Sequence, residues 1–366
     1  MAPLLTLGRG HRGVNPVNFR HMPMAEQLSE RELRVLEAVV QTYIETAEPA
    51  GSQTIARRFG LGVSPATIRN TMSDLEEKGY LFHPHTSAGR IPTDRAYRVY
   101  VNEIMRLSPP SQEARHALRA ELLGSRNAVD EVLRRAAQVL GVLTQELGVA
   151  VAPALDEMVV ERLELVPVSS ERVLLVFNLR SGVVRTIFVE LPSRMSTESL
   201  QEVSRILNER LAGLTLLRIR TTLPDRLRDA VGAEGGRELL NIFIAEGEGM
   251  FDLASDQSAV VLGSAQMLAD QPEFASNGRM RELLRLTEGR DLLRQALAAR
   301  RQTGLSITIG GENPDARLTD FTLVTASYEV GDLKGVIGVM GPTRMPYDKI
   351  IGLVEHTSRL VEGLLE

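Results

Sequence analysis

The sequence contains neither cysteine nor tryptophan. Without thiols, the chain of 366 residues can form no disulfide, thiol nucleophile, iron–sulfur cluster or cysteine-ligated zinc site. Aromatic residues make up only 4 % of it, which leaves few rings to line a pocket for a nucleotide or a chromophore. No apolar run reaches the ~18 residues that a transmembrane helix requires. Together these absences favour a function based on binding.

The rest of the composition is that of an ordinary globular chain, with 43 % apolar and 24 % charged residues. The length fits roughly two to three domains. Residues 1–27 differ from the remainder, because they show no hydrophobic period and no secretory apolar core. We predict a disordered extension there and a cytoplasmic location. A further hypothesis is that translation starts at Met24 and not at Met1.

Local signals predict three helices at the start of the periodic sequence. A capping box at Ser29–Glu32 begins the first helix, whose apolar residues recur at steps of three and four. The second runs from Ser52, as its cap, to Gly60, which suits a left-handed C-terminal position. Ser64 and Pro65 provide the N-cap and first-turn proline of the third, which ends at Gly79.

A helix, a short turn and another helix form a helix-turn-helix pattern. The outward residues of the third helix are small, polar or basic, and they suit a DNA major groove. A solvated helix face would look similar in isolation. The following strands, Tyr80–His83 and Ile91–Pro92, favour DNA binding, because a hairpin in this place is the wing of a winged helix-turn-helix.

The predicted DNA contacts lie on the second and third helices and on the hairpin tip. Base contacts come from the third helix, whereas the tip offers donors to phosphate and sugar. The full set is Arg57, Arg58, Ser64, Ala66, Thr67, Arg69, Asn70, His85, Thr86, Ser87, Gly89 and Arg90. We expect no metal at His83 and His85, because no third ligand cluster lies near them in the sequence.

The charge is distributed unevenly along the chain. Eight basic and five acidic residues give the segment Gln53–Arg106 a charge of +3, which leaves −8 for the rest of a chain with net charge −5. A basic segment on an acidic body is typical of a DNA-binding module fused to a regulatory part. Asp74, Glu76 and Glu77 repel phosphate at the far end of the third helix, so contact should come from its N-terminus.

The remainder predicts an α+β body. A polar Ser108–Ser111 linker with two prolines precedes a helical segment, Ala114–Gly148, that could bridge subunits or pack against the next domain. Three strands between Met158 and Leu191 are joined by short connections and should be antiparallel. A helix, an intervening stretch, more strands after Leu305 and a closing helix suggest one α+β domain interrupted by an insertion.

Several motifs resemble the HrcA family of heat-inducible transcription repressors. The segments that carry the resemblance are Ser64–Asn70, Gly79–Thr93, Gln271–Phe274 and Gly341–Tyr347. The resemblance implies an α+β multidomain fold with a winged helix-turn-helix, a GAF-like domain and an inserted dimerising domain. The corresponding ranges are 1–27 (extension), 28–106 (winged helix-turn-helix), 107–148 (helical linker), 149–212 and 302–366 (GAF-like parts) and 213–301 (insert).

The resemblance also implies a function. The protein would bind an inverted-repeat operator of chaperone genes as a homodimer, would release it on heat stress, and would need the GroEL chaperonin to reach its active form. We predict no enzymatic activity and no cofactor, because no common catalytic or nucleotide-binding motif is present. The Gly310–Pro314 loop could hold an anion, but a simple turn is favoured. The alternative function is a ligand-sensing GAF-type regulator of other genes.

Overall fold

A computed structural model describes residues 28–84, 89–123, 129–153, 158–180, 184–191, 195–230, 234–250, 260–331 and 333–365. It has the mixed α+β composition that the sequence predicts. The extension 1–27, with the hypothetical start at Met24, lies outside the described residues. None of the described helices is long and apolar enough to cross a membrane.

The head, as we name residues 28–106, contains four helices and a short hairpin within its described part. These are α1 (Glu30–Thr46), α2 (Ser52–Phe59), α3 (Pro65–Glu77), β1 (Leu81–Phe82), β2 (Ile91–Pro92) and α4 (Asp94–Val99), which continues as a π-helical turn, Tyr100–Ile104. Strands β1 and β2 pair antiparallel. The capping box of Ser29 and Glu32 is present as predicted. The N-cap of α2, however, is Gly51, and Ser52 is the first helical residue.

The elements beyond the head follow in chain order. They are α5 (Gln112–Leu123), α6 (Val129–Thr144), β3 (Leu147–Val151), β4 (Val160–Pro167), β5 (Arg172–Leu179), β6 (Val184–Glu190), α7 (Thr197–Leu211), α8 (Leu216–Leu227), α9 (Glu234–Met250), β7 (Val260–Leu262), α10 (Gln266–Ala269), α11 (Asn277–Glu288), α12 (Arg290–Ala298), β8 (Ser306–Ile309), β9 (Phe321–Val330), β10 (Leu333–Pro342) and α13 (Tyr347–Leu365).

A five-stranded antiparallel sheet, in the order β7-β3-β10-β9-β8, forms the centre of the body. Helices α6 and α13 cover one face, and their apolar core is continuous with that of the head. Helices α11 and α12 cover the other face through a separate cluster that includes Phe274 and Phe321. The sheet is therefore buried on both sides, which favours continuous apolar strands.

A second sheet, in the order β4-β5-β6, has a core of its own. Alternate residues such as Leu163, Leu175 and Val189 are buried on one face, against α7, α8 and α9. We name residues 158–250, which contain this sheet and these helices, the insert unit. The chain leaves the five-stranded sheet after Val151 and returns to it at Val260.

This topology differs from the predicted division of the chain. Strands β4–β6 were expected to share a domain with the C-terminal strands, with residues 213–301 as the interruption. Instead, short connections let β4–β6 form a separate three-stranded antiparallel meander. Val260–Leu262 pairs with β3 in the five-stranded sheet. The interruption is thus the insert unit, and α11 and α12 belong to the five-stranded sheet.

The helical segment predicted to reach Gly148 ends at Thr144, and Leu147–Val151 is a strand of the sheet. All five residues of β3 are buried, so the sequence shows none of the alternation that indicates a strand. Gly148 lies against α6 so closely that a Cβ there would be 1.8 Å from the Ala137 carbonyl oxygen. A larger residue would separate the helix from the sheet.

Candidate nucleic-acid interface

The N-terminal half of α3 is an exposed polar surface that the sequence singles out. The Ser64 hydroxyl accepts a hydrogen bond from the Thr67 backbone N–H at 3.1 Å, and its oxygen lies 3.0 Å from the Thr67 hydroxyl. Pro65 occupies the first turn, where a missing N–H costs nothing. The helix therefore begins at a sharply defined point, because Ser64 accepts the Thr67 N–H and Pro65 has no N–H that needs an acceptor.

Burial separates the two sides of α3. Ile68, Met72 and Leu75 are buried in the head core, whereas Ser64, Ala66, Arg69 and Asn70 are exposed and Thr67 is half-buried. Within the described residues, no hydrogen bond or ion pair engages the side chains of Arg69 and Asn70. An amide and a guanidinium free of protein partners can pair with base edges or phosphate.

The two arginines of α2 are both exposed but differ in their partners. Arg58 forms an ion pair with Glu45 of α1, and its guanidinium lies 5.4 Å from the centre of the Phe59 ring. Arg57 has only a 3.4 Å contact from its Nε to the Gln53 carbonyl of the same helix. In the described part of the chain, the charge of Arg57 is therefore not neutralised by a carboxylate.

The hairpin tip is only partly described, and His85, Thr86 and Ser87 lie outside the described residues. Gly89 follows the tip and lies against the turn after α1. A Cβ on Gly89 would be 2.2 Å from the Ala50 carbonyl oxygen, so only glycine fits without a shift of the backbone. This close approach gives the glycine a structural reason besides its predicted contact with DNA.

Arg90 holds the hairpin in place. Its backbone N–H and carbonyl both bond to Ala50 at 2.9 Å, and its guanidinium forms a 2.7 Å ion pair with Glu76 of α3. The side chain is only 17 % exposed. Sequence reasoning missed this pairing, because no local pattern connects residues fourteen positions apart. Arg90 stays a predicted DNA contact, but the neighbouring carboxylate weakens its attraction for phosphate.

Ion pairs neutralise much of the positive charge of the segment Gln53–Arg106. Arg58, Lys78, Arg90 and Arg98 each have a carboxylate partner. Lys78 bridges α3 to Glu32 of α1 at 2.7 Å and, with bonds from Ser29, lowers the pKa of Glu32 to about 2 against the opposing effect of burial. Arg57 of α2 and Arg69 of α3 have no such partner among the described residues.

Metal binding finds no support in the described residues. They contain no group of three or more histidine, aspartate or glutamate side chains arranged to hold an ion. The surface around α3 thus offers exposed amide, guanidinium and hydroxyl groups. Such groups can bind nucleic acid or other anions.

A helical head with this surface, joined to an α+β body, has the construction of a transcription regulator. The family described as "HrcA protein C terminal domain" matches residues 130–351. A heat-inducible transcription repressor HrcA of Chlorobium phaeobacteroides is 39 % identical over 345 residues, which cover 91 % of this chain and 97 % of that protein. The one of Geobacter sulfurreducens is 34 % identical and covers 93 % and 98 %.

The chain therefore belongs to the HrcA family of heat-inducible transcription repressors, as its motifs predicted. The family consists of regulators and not of enzymes, in agreement with the prediction of a non-enzymatic protein. A crystal structure described as a hypothetical protein at 2.2 Å resolution has a TM-score of 0.65, with 22 % identity, over 93 % of this chain and 99 % of that one. That likeness shows a shared fold.

Proposed function

We propose that the protein represses chaperone genes in the cytoplasm by binding an inverted-repeat operator as a homodimer, and that heat stress releases it. The exposed N-terminal half of α3 is the observation that carries this proposal. In this proposal, helices α1–α3 and strands β1 and β2 form a winged helix-turn-helix that binds DNA. Membership of a family of heat-inducible repressors supports the choice of genes.

In the proposed complex, the start of α3 enters the major groove. Asn70 reads an adenine edge, and Arg69 reaches guanine or phosphate. Asp74 and Glu77 are exposed further along the helix, and their repulsion of phosphate favours entry by the N-terminus. Arg57 and the hairpin tip, with His85, Thr86 and Ser87, contact the backbone on either side.

The insert unit offers a surface for the homodimer. The outer face of β4–β6 exposes Phe188 to 62 %, Val184 to 57 % and Val166 to 42 % of their area. Val166, Leu174 and Phe188 form a row across the three strands, since they are register partners. A second copy covering this row would remove an exposed apolar patch, and a two-fold dimer matches an inverted repeat.

The GroEL chaperonin enters the proposal through the family resemblance. Chaperonin-assisted folding would supply active repressor, and unfolded proteins that accumulate on heating would compete for the chaperonin. The fraction of active repressor would then fall without any ligand. A repressor of chaperone genes that itself needs a chaperone would thus be controlled by chaperone supply.

The alternative function is that of a ligand-sensing regulator, and the structure has a cavity in which a small ligand could bind. A half-open cavity of about 360 Å³ lies between α6 and the end of β7, lined by Gln138, Val142, Leu262, Ser264 and Met267. Its walls carry no charged side chain. Since the relatives are described as heat-inducible repressors, we favour control by heat.

The deciding experiment is a gel shift of the full chain with three DNA probes at one salt concentration. The probes carry an inverted repeat from upstream of a chaperone gene of the same genome, the same repeat with scrambled half-sites, or random sequence. Operator binding ~10³-fold tighter than random binding, enhanced by GroEL with ATP, is the expected result. Equal affinity for all three probes contradicts the proposed function.

A further inference from the structure

The head is joined to the body by three separate polar contacts, which we call the junction. The first is the linker after the head. The Ser108 backbone N–H donates to the Asp348 carbonyl at 3.2 Å. A Cβ on Gly352 of α13 would be 2.5 Å from the Ser108 carbonyl oxygen, so the linker lies directly on that helix. The predicted linker is therefore packed against the body.

The second contact connects α4 to the turn at Gly310–Glu312. The Gly311 N–H donates to the Asp94 carboxylate at 2.8 Å, and Gly310 has φ +53° with no room for a Cβ beside that carboxylate. Arg98 donates to both carboxylate oxygens of Glu312 through Nε and Nη2, and Nη2 also donates to the Ile307 carbonyl at 2.8 Å. The sequence analysis allowed an anion site in this loop. In the structure, the anion bound there is the Asp94 carboxylate of the head.

The third contact uses two of the motifs that carried the family resemblance. Arg344 binds both carboxylate oxygens of Glu273, at 2.5 and 3.0 Å. Its remaining nitrogen donates to the Ile44 carbonyl, in the last turn of α1, at 2.8 Å. A guanidinium at a helix C-terminus also complements the negative end of the helix dipole. Arg344 therefore fixes the end of α1 to the body.

Two of these contacts act on the head itself, at α4 and at the end of α1, and the other holds the linker that directly follows the head. An apolar core lies between them. Tyr97 of α4 and Tyr347 of α13 are both buried, with ring centres 5.9 Å apart. Rotating the head about any one contact would break at least one of the other two. Because the ion pairs are directional and mostly shielded from water, they define one orientation of the head.

We propose that the junction fixes the rotation and separation of the two heads, and thereby selects the spacer length between the operator half-sites. This inference rests on the proposed dimeric binding of an inverted repeat. A change of two base pairs in the spacer rotates one half-site by about 70° and moves it by about 7 Å. A rigid head cannot follow that displacement. In this scheme Arg98 and Arg344 are positioning residues and contact no DNA.

The test measures spacer preference, which a merely destabilised protein would not change. Synthetic duplexes carry identical half-sites with the natural spacer, a spacer two base pairs shorter, one two base pairs longer, or a single half-site. We expect wild-type protein to bind the altered spacers about tenfold more weakly or worse. For Arg98→Gln and Arg344→Gln, that penalty should fall to about threefold or less, with unchanged affinity for the single half-site.

Two further variants complete the design. Arg205→Gln is the matched control and should keep the wild-type penalty. Arg205 on α7 is 62 % exposed, and its one ion pair among the described residues is with Glu209 of the same helix. Asp94→Asn keeps an oxygen acceptor for the Gly311 N–H but loses the charge. If circular dichroism shows that Arg344→Gln is unfolded, the spacer penalty of Asp94→Asn tests the inference in its place.

Each outcome is decisive. A wild-type spacer penalty in the folded junction variants overturns the inference, and so does a parallel loss of half-site binding, which would mean a damaged head. If wild-type protein does not distinguish the inverted repeat from the scrambled probe, the proposed function fails and the inference fails with it. If wild type binds the repeat but tolerates every spacer equally, the inference alone fails.

Discussion

The two sides of the head use the same side-chain types in different ways. At the start of α3, Arg69 and Asn70 are exposed and have no partner among the described residues. At the junction, the side chains of Arg98 and Arg344 are each only 15 % exposed, and both bind a carboxylate through two nitrogens. The side-chain donors at the start of α3 are available to an acceptor outside the protein. Those at the junction already donate to carboxylates within it.

This comparison changes the meaning of the charge counted for Gln53–Arg106. The count of +3 treats all arginines and lysines alike, but an arginine paired with glutamate adds little to the attraction of phosphate. The cations relevant to DNA are those without a carboxylate neighbour, and in the described head these include Arg57 and Arg69. Salt dependence of binding should therefore follow the pairing of each residue and not its presence.

The largest effect on stability should come from the junction side. Arg344→Gln removes the partner of Glu273 and the donor to Ile44, so we expect the free energy of unfolding to fall by about 2–3 kcal/mol. The preference for the correct base over a wrong one should not change, because α3 is untouched. Urea unfolding followed by circular dichroism measures the first quantity, and a gel shift with single-base operator variants measures the second. An unchanged unfolding midpoint would contradict the importance of this contact.

Asn70→Ala should have the opposite profile. We expect a loss of ~1–3 kcal/mol in operator binding, little change on random DNA, and a stability within about 0.5 kcal/mol of wild type. Asn277→Ala, at an exposed first-turn position of α11, is the matched control. Fluorescence anisotropy with operator and random duplexes gives both affinities. Normal operator binding by Asn70→Ala would show that α3 is not the reading helix.

Arg57→Ala and Arg90→Ala compare an arginine without a carboxylate partner with one that is paired with Glu76, and we expect them to change the salt dependence of DNA binding by different amounts. Removal of Arg57 should lower the slope of log K against log salt by about one unit, as expected for one phosphate contact. Removal of Arg90 should change that slope by much less, since Glu76 already neutralises it. The measurement is a salt titration on random DNA. Equal slopes for the two variants would remove the distinction between the two arginines.

The smallest effect concerns the Lys78–Glu32 bridge between α3 and α1. The pKa of Glu32, lowered to about 2, means that its contribution to stability is present above the unfolded value of 4.5 and is lost as pH falls towards 2. Glu32→Gln should therefore flatten this part of the stability profile by about 1 kcal/mol or less. Thermal unfolding between pH 2 and 6 measures it, and an identical profile would show that the bridge contributes nothing.

Local signals in the sequence predicted most of the head. The capping box at Ser29 and the Ser64–Pro65 start of α3 each depend on residues within one helical turn, so both helices begin where expected. The family could likewise be predicted, because its motifs are contiguous segments. Ser52 was misplaced by one position because a serine and a glycine are both acceptable N-caps.

Features that depend on distant residues were not predictable in this way. Strand β3 shows no alternation because it is buried on both faces, and it follows α6 after only two residues. The insert boundaries depend on which strands pair, and short hairpins do not reveal whether β4–β6 join another sheet. Arg98 and Glu312 are 214 positions apart, so nothing near either residue indicates their pairing.

The place where the insert unit joins the body has a practical consequence. Val151 and Val260 are directly paired neighbours in antiparallel strands, the geometry at which two strands of a hairpin meet a tight turn. An Asn-Gly turn in place of residues 152–259 would connect β3 to β7 and keep every pairing of the five-stranded sheet. Under the proposed dimerisation through the insert unit, the product would be a single-headed protein for measuring half-site binding.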